Sequence, residues 1–257
     1  MSKTEYFEVE SNKKTLRGMK HLSEKNDAFA VLIIHGYFSS NKIGPHRLYV
    51  NIANQLSKRF CSCYRFDMSG MGESDGDISN IKFNNHVYDI MNIINYLKNN
   101  GKKEIIVISH CLGCNLLIET ILRYKYVFRE IIFMTPYFTN KEILRLLFPK
   151  DDQIIELFRS GHTYRNGLYV DSSYFLEQTD YDRFLHSVNS INTYINIIAA
   201  KYDQFIPFEY NENLRVESNN INFTYNESDH NFLTKQSELI DKIEEIINDD
   251  YFTNTKV

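Results

Sequence analysis

A chain of 257 residues with a formal net charge of −4 is long enough to bury a sizeable core without disulfide or metal staples. It is too acidic for a nucleic-acid-binding stripe or a polybasic membrane patch, which excludes those partners. The opening MSKTEYFEVE lacks the apolar core of a signal peptide, and no apolar run is long enough to span a bilayer. The expectation is one large α/β unit, cytoplasmic, with no membrane insertion and with four reduced cysteines. Tyr and Phe are abundant, but with Ile, Asn and Lys they are the residues favoured by AT-rich coding sequence, so the bias is not read as a binding surface.

The first thirty or so residues alternate polar and apolar, as in EYFEVES and TLRGMKHL, and predict an antiparallel edge hairpin. A short continuous apolar run follows, AVLIIH at 30–35, and then a weaker one, CSCYRFDM. Phe83, Val87, Ile90, Met91, Ile94 and Leu97 recur every three to four residues and predict one apolar face of an amphipathic helix. EIIVIS at 104–109 and EIIFM at 130–134 are further strand-like runs. From Pro136 to Ser190 the rhythm breaks. Helix-like pieces surround GHTYRNGLYV, whose Asn-Gly pair suggests a hairpin, and no core strand stands out. YINIIAA at 194–200 and a weak NFTY resume the strands, and Leu239, Ile240, Ile243, Ile246 and Ile247 predict a closing helix. Short β-branched runs without alternation suit strands covered on both faces, so the order implies a mostly parallel, doubly wound α/β sheet. The predicted division is a core of residues 1–135 and 191–257 with a cap or insertion at 136–190.

In an open parallel sheet, sites form just beyond the carboxyl ends of the strands. His35-Gly36-Tyr37-Phe38 follows one strong strand and Ser109-His110-Cys111-Leu112-Gly113 another. Lys201-Tyr202-Asp203 follows a third, and Ser228-Asp229-His230-Asn231-Phe232 follows the weak last one. Cys111 and Cys114 form a C-x-x-C, a spacing open to a redox dithiol, half of a zinc site, or one nucleophile with an incidental neighbour. A dithiol needs both sulfurs accessible at a helix start, whereas Cys114 falls a turn into a helix expected to pack on the sheet. Zinc needs four placed ligands, and Cys61 and Cys63 lie on a predicted strand. The nucleophile reading fits best. S-x-C-x-G resembles the G-x-S-x-G elbow, where the strand turns so sharply into a helix that the residues two before and two after must be small. Gly113 meets that need, and Ser109 meets it while departing from the usual glycine. The helix start would offer Cys111 its positive dipole end and the Leu112 amide, both stabilising a thiolate and the anion formed on attack.

In chain order HGYFSS, RFDMSGMGESDG, SHCLG, KYDQFIP and SDHNF resemble the α/β-hydrolase superfamily over nearly the whole chain, in its own order of nucleophile, acid and histidine. Within it the chain resembles cinnamoyl/feruloyl-esterase-like and serine-aminopeptidase-like members, which carry a comparable small insertion before the acid-bearing strand. The resemblance implies an α/β-hydrolase fold with a small cap over the active site. It also implies a Cys111–His230–Asp203 triad, with His230 taking or already holding the thiol proton and Asp203 fixing its tautomer. The backbone N–H groups of Tyr37 and Leu112 would form the oxyanion hole. Asp229 is the alternative acid, ranked lower because adjacent residues rarely point the same way. His35 is expected to hold the oxyanion loop, and His110, Phe38, His162 and Tyr137 to contact substrate. No metal and no cofactor are expected.

The acyl form of a cysteine nucleophile is a thioester, so exchange from a thioester donor is close to isoergic and the acyl-enzyme stays activated toward water, alcohol or amine. The expected substrate is a small-molecule acyl ester or thioester, free or carrier-bound, and the expected activity is hydrolysis through an S-acyl-enzyme. Transfer of the acyl group to an amine or alcohol acceptor is the alternative. A catalytically inactive binding or scaffold protein is the reading from another class, opposed by the presence of Asp203 and His230 beside a cysteine at the elbow. Phe148, Phe158, Tyr164, Tyr174, Phe175 and their apolar neighbours in the insertion either line an acyl pocket or pack the insertion onto the sheet.

Overall fold

The computed structural model describes residues 3–36, 41–136, 144–145, 147–165, 168–176 and 181–247. The N-terminal alternation forms the expected hairpin. β1 (Thr4–Ser11) and β2 (Lys14–His21) pair antiparallel from Thr4 opposite His21 to Ser11 opposite Lys14, with Phe7, Val9 and Leu16 buried. Next come β3 (Asn26–Ile34), α1 (Leu48–Arg59), β4 (Cys61–Phe66), α2 (Phe83–Asn99), β5 (Glu104–His110), α3 (Leu112–Tyr124) and β6 (Glu130–Met134). The region that broke the rhythm holds α4 (Asp151–Ser160), a hairpin of β7 (His162–Arg165) and β8 (Leu168–Asp171), α5 (Ser173–Leu176) and α6 (Tyr181–Ser190). β9 (Ile195–Ala200), α7 (Phe208–Glu217), β10 (Ile221–Asn226) and α8 (Gln236–Ile246) complete the chain.

One sheet runs in the order β1-β2-β4-β3-β5-β6-β9-β10, antiparallel at β1, β2 and β4 and parallel from β4 onward. This is the mostly parallel, doubly wound sheet that the alternating elements imply. Every residue of β4, β6 and β9 is buried, as strands covered on both faces require. Side-chain alternation divides the core in two. Val31, Ile33, Ile106, Ile108, Ile132 and Met134 meet α1 and α8 on one face. Ala30, Leu32, Val107, Ile131 and Phe133 meet α2 and α3 on the other, where buried residues of the insertion join them.

Two features position the site. The chain leaves β3 for β4 on one side and later enters β5 on the other, so β3 and β5 flank the switch point of the sheet, with Ile34 opposite Ser109. At the far side, parallel pairing of β9 with β10 puts Ala200 opposite Asn226, which brings the segments carrying Asp203 and His230 together. The insertion is latched to the start of α2. Lys82 pairs with buried Asp171, Tyr174 Oη and His86 Nδ1 are 2.7 Å apart, and Tyr169 O–H donates to Ser79 O at 3.0 Å. Phe148, Tyr174 and Phe175 are buried and therefore pack the insertion down, whereas Phe158 and Tyr164 are exposed. No helix among the described residues is long and apolar enough to cross a membrane.

Candidate active site

At the end of β5 the chain reverses into α3 through one residue. Cys111 holds φ 52° and ψ −122°, a positive-φ conformation that side chains other than glycine adopt only under constraint. The constraint is visible in its neighbours. Cys111 N–H donates to Met134 O at 3.0 Å, and Cys114 N–H donates to Cys111 O at 3.1 Å. A Cβ on Gly113 would stand 2.6 Å from His35 O, so α3 begins this close to β3 only because position 113 has no side chain. A Cβ on Gly36 would come within 3.3 Å of the Cys111 Cβ. Ser109 is small enough to stay fully buried beneath this turn, although its hydroxyl finds no partner among the described residues.

The four thiols occupy different surroundings. Cys111 is half-buried, and the other three are buried. Burial pushes the Cys61 thiol up to about 12 and drives Cys63 and Cys114 well above the ordinary thiol range, so these three stay protonated. Cys61 and Cys63 face α1 and α8, while Cys114 packs on the opposite side of the sheet. The sheet thus separates them, which rules out the shared zinc site that the four cysteines left open.

His230 lies beside Cys111. Burial acts to lower its pKa, but attraction to the Cys111 sulfur, hydrogen bonds with Asp203 and Cys111, and the Asp203 charge outweigh burial and raise it to about 10. Its Nδ1–H donates to Asp203 Oδ2 at 2.7 Å. Asp203 is held in turn, because its Oδ1 accepts the N–H groups of Phe205 at 2.7 Å and Ile206 at 2.9 Å. Asp229 Oδ1 accepts Asn231 N–H at 2.9 Å and Leu233 N–H at 3.2 Å, and so caps its own turn. Leu112 is the first residue of α3, so its N–H belongs to the helical turn whose donors lack intrahelical acceptors.

His35 ties the end of β3 to the loop after β4. Its Nδ1–H donates to Gly36 O at 2.6 Å, and its Nε2 accepts Met68 N–H at 3.1 Å. Burial lowers its pKa to about 4, which keeps the ring neutral as that acceptor role requires. Two buried carboxylates fix this loop, and the sequence marks neither with a role, although Asp67 lies within RFDMSGMGESDG. Buried Asp67 accepts Lys42 N–H at 2.6 Å, Lys42 Nζ at 2.5 Å and Glu73 N–H at 2.8 Å. Buried Asp89 accepts Ser69 N–H at 2.8 Å and Ser11 O–H at 2.6 Å. One signal was present in the glycine-dense DMSGMGES: a Cβ on Gly72 would overlap the Asp67 carboxylate at 2.2 Å.

Of the expected substrate contacts, His110 is corrected. It is 3 % exposed, and both ring nitrogens are engaged, with Tyr49 Oη at 2.8 Å and His230 O at 3.0 Å. It points into the core on the α1 side and presents no surface to substrate. His162 is exposed on β7 with its ring stacked on Tyr169 at 5.3 Å, a contact within the insertion. Tyr37, Phe38 and Tyr137 lie outside the described residues.

The sheet order, the strand-to-helix elbow and the placement of the acid and histidine segments after β9 and β10 define an α/β hydrolase. Residues 25–203 match the family described as serine aminopeptidase, S33, and the chain belongs to that family. Among curated relatives it is similar to the human mitochondrial palmitoyl-protein thioesterase ABHD10, at 24% identity over 259 residues, covering 92% of this chain and 81% of the relative. Among solved structures it is similar to the ferulic acid complex of Est1E from Butyrivibrio proteoclasticus, with TM-score 0.80 and 18% identity over 94% of this chain and 97% of that one. It is also similar to a thioesterase domain from the curacin biosynthetic pathway, with TM-score 0.69 and 13% identity over 94% of this chain and 99% of that one. These structural likenesses establish the fold.

Proposed function

We propose that the protein is an acyl hydrolase of the thioesterase or esterase type that works through an S-acyl-enzyme on Cys111. The observation that carries this reading is the half-buried Cys111 at positive φ beside an imidazole that Asp203 orients. In the first half-reaction the Cys111 thiolate attacks the acyl carbonyl and forms a C–S bond as the carbonyl electrons move onto oxygen. The Leu112 N–H and the start of α3 face that developing charge, with the Tyr37 N–H as the second donor expected from sequence. Collapse of the tetrahedral species expels the thiol or alcohol, which takes the His230 proton. In the second half-reaction neutral His230 removes a proton from water as it attacks the thioester, and Cys111 leaves as thiolate while the imidazole is protonated again.

A sulfur nucleophile favours thioester donors, because exchanging one thioester for another changes bond energies little, whereas an amide leaving group must be expelled against a better-leaving thiolate. The names of the human relative and of the curacin-pathway domain, both thioesterases, point the same way. The expected substrate is a small-molecule or carrier-bound acyl thioester or ester. Intact-mass measurement after incubation with a panel of acyl-thioesters and activated esters tests this. An acyl adduct on Cys111 that clears in water supports hydrolysis, and one that clears only with an added amine or alcohol means transfer. No adduct with any donor leaves a binding protein.

A further inference from the structure

We infer that His110 and Tyr49 are positioning residues that fix His230 relative to Cys111, a step that rests on the Cys111–His230 reading above. His110 ends β5 and directly precedes Cys111. Alternation along the strand turns its side chain to the face of Ile106 and Ile108, against α1 and α8. There it meets His230 twice. Its Nε2–H donates to the His230 carbonyl at 3.0 Å, and its ring lies against the His230 ring with centroids 5.1 Å apart at 31°. Phe205 closes another side of His230 edge-on, at 5.2 Å.

The tautomer follows from the partners. A carbonyl oxygen can only accept, so Nε2 carries the proton, and in a neutral ring Nδ1 must accept. Burial, reinforced by the nearby His230 and His35, lowers the pKa of His110 to about 3 and so keeps the ring neutral. Tyr49 O–H then donates to Nδ1 at 2.8 Å. Tyr49 is fully buried on α1, and Gly44 makes room for its ring, since a Cβ there would stand 2.6 Å from Tyr49 Cδ2. A directed line therefore runs from Tyr49 through His110 to the main chain of His230. The nucleophile and its base are thereby tied to adjacent residues of one strand end, Cys111 covalently and His230 through His110. The titratable groups facing this line are Cys111, Asp203 and His35.

The test uses Tyr49→Phe, His110→Leu and His110→Gln in the full chain. His110→Gln keeps an N–H near the position of Nε2, and His110→Leu removes it. Three quantities are read: the rate of Cys111 alkylation by iodoacetamide as a function of pH, kcat and KM with an acyl-thioester, and the imidazole nitrogen resonances of His230. Displacing a reacting group by a fraction of an ångström to an ångström costs up to about a hundredfold, so His110→Leu should lose roughly that in alkylation rate and kcat, and Tyr49→Phe roughly tenfold, with little change in KM. His110→Gln should recover most of the loss, and the His230 resonances should shift in Tyr49→Phe and His110→Leu. Folded variants with rates within about twofold of wild type and unmoved His230 resonances would overturn the inference. If His110→Leu does not fold, Tyr49→Phe, which lacks a single oxygen, decides. A wild-type Cys111 no more reactive than a free thiol would defeat the hydrolase reading instead, and the His230 resonances would still decide the role of His110.

Discussion

The absent side chain of Gly113 and the carbonyl oxygen of His35 occupy the same space: a Cβ at 113 would lie 2.6 Å from that oxygen. The oxygen belongs to the main chain at the end of β3 and cannot swing aside as a flexible side chain would. Gly113→Ala must therefore lift α3 or displace the His35–Gly36 segment, at a cost of about 1–3 kcal/mol. We expect denaturant unfolding to show that loss and turnover to fall further than the loss of folded protein explains. An alanine protein with unchanged stability and turnover would refute the steric account of the elbow.

Cys111→Ala is expected to abolish turnover and the acyl adduct. Cys114→Ala should keep most of the activity and lose about 1 kcal/mol of stability, as expected for trimming a fully buried side chain. Iodoacetamide should label Cys111 fastest of the four thiols, and peptide mapping after a short pulse reads this directly. Labelling should slow in His230→Gln. Equal loss of activity from the two cysteine variants would instead point to a dithiol.

Asp203→Asn replaces the carboxylate that accepts the Nδ1–H of His230 and should lower kcat by roughly a thousandfold with KM nearly unchanged. Asp229→Asn keeps an oxygen for the N–H groups of Asn231 and Leu233 and should change kcat by less than about threefold. Steady-state kinetics on the two variants separates these acids, and a larger effect at Asp229 would reverse their roles.

The dependence on pH follows from His230. Burial would by itself lower its pKa from 6.5, but Cys111 and Asp203 carry it up to about 10. Because the folded value lies above the unfolded one, the charged ring's contribution to stability is complete below 6.5 and is lost as pH rises through about 10. The stability difference between wild type and His230→Gln should accordingly shrink across that window in thermal melts. In Cys111→Ala, where the attraction and hydrogen bond from sulfur are gone, the ring should titrate well below its wild-type value by NMR. A wild-type ring that titrates at or below 6.5 would refute the net upward pull of Cys111 and Asp203 on His230.

The elbow was legible because a sharp strand-to-helix turn restricts side-chain size at fixed offsets, which a linear pattern can display. Asp203 and His230 were legible because a parallel sheet collects its loops at one end, so residues just after strands become neighbours. His110 was misjudged because adjacency to Cys111 along the chain suggested a shared surface, while the two-residue period of β5 sends its side chain to the α1 side. Asp89 carries no local mark and Asp67 only the glycines that follow it, since their partners Ser11 and Lys42 lie 78 and 25 positions away. The latch between Lys82 and Asp171 spans 89 positions, and neither residue stands out in its own segment. The sequence could place the insertion between two strands, but not the surface on which it rests.

The backbone of Cys111 adopts its conformation from Met134, His35 and the glycines around it, and none of those contacts involves the sulfur. The turn is thus a mount that is indifferent to the element it carries. In a family described by its serine, this chain carries a larger, more polarisable atom at the tip of that turn, and on the S-acyl reading proposed above its acyl bond is one that other thiols readily exchange. Cys111→Ser swaps that atom on an unaltered bracket. On that proposed reading the two proteins are expected to differ in the ratio of thioester to oxygen-ester turnover, which steady-state kinetics on both would trace to one atom.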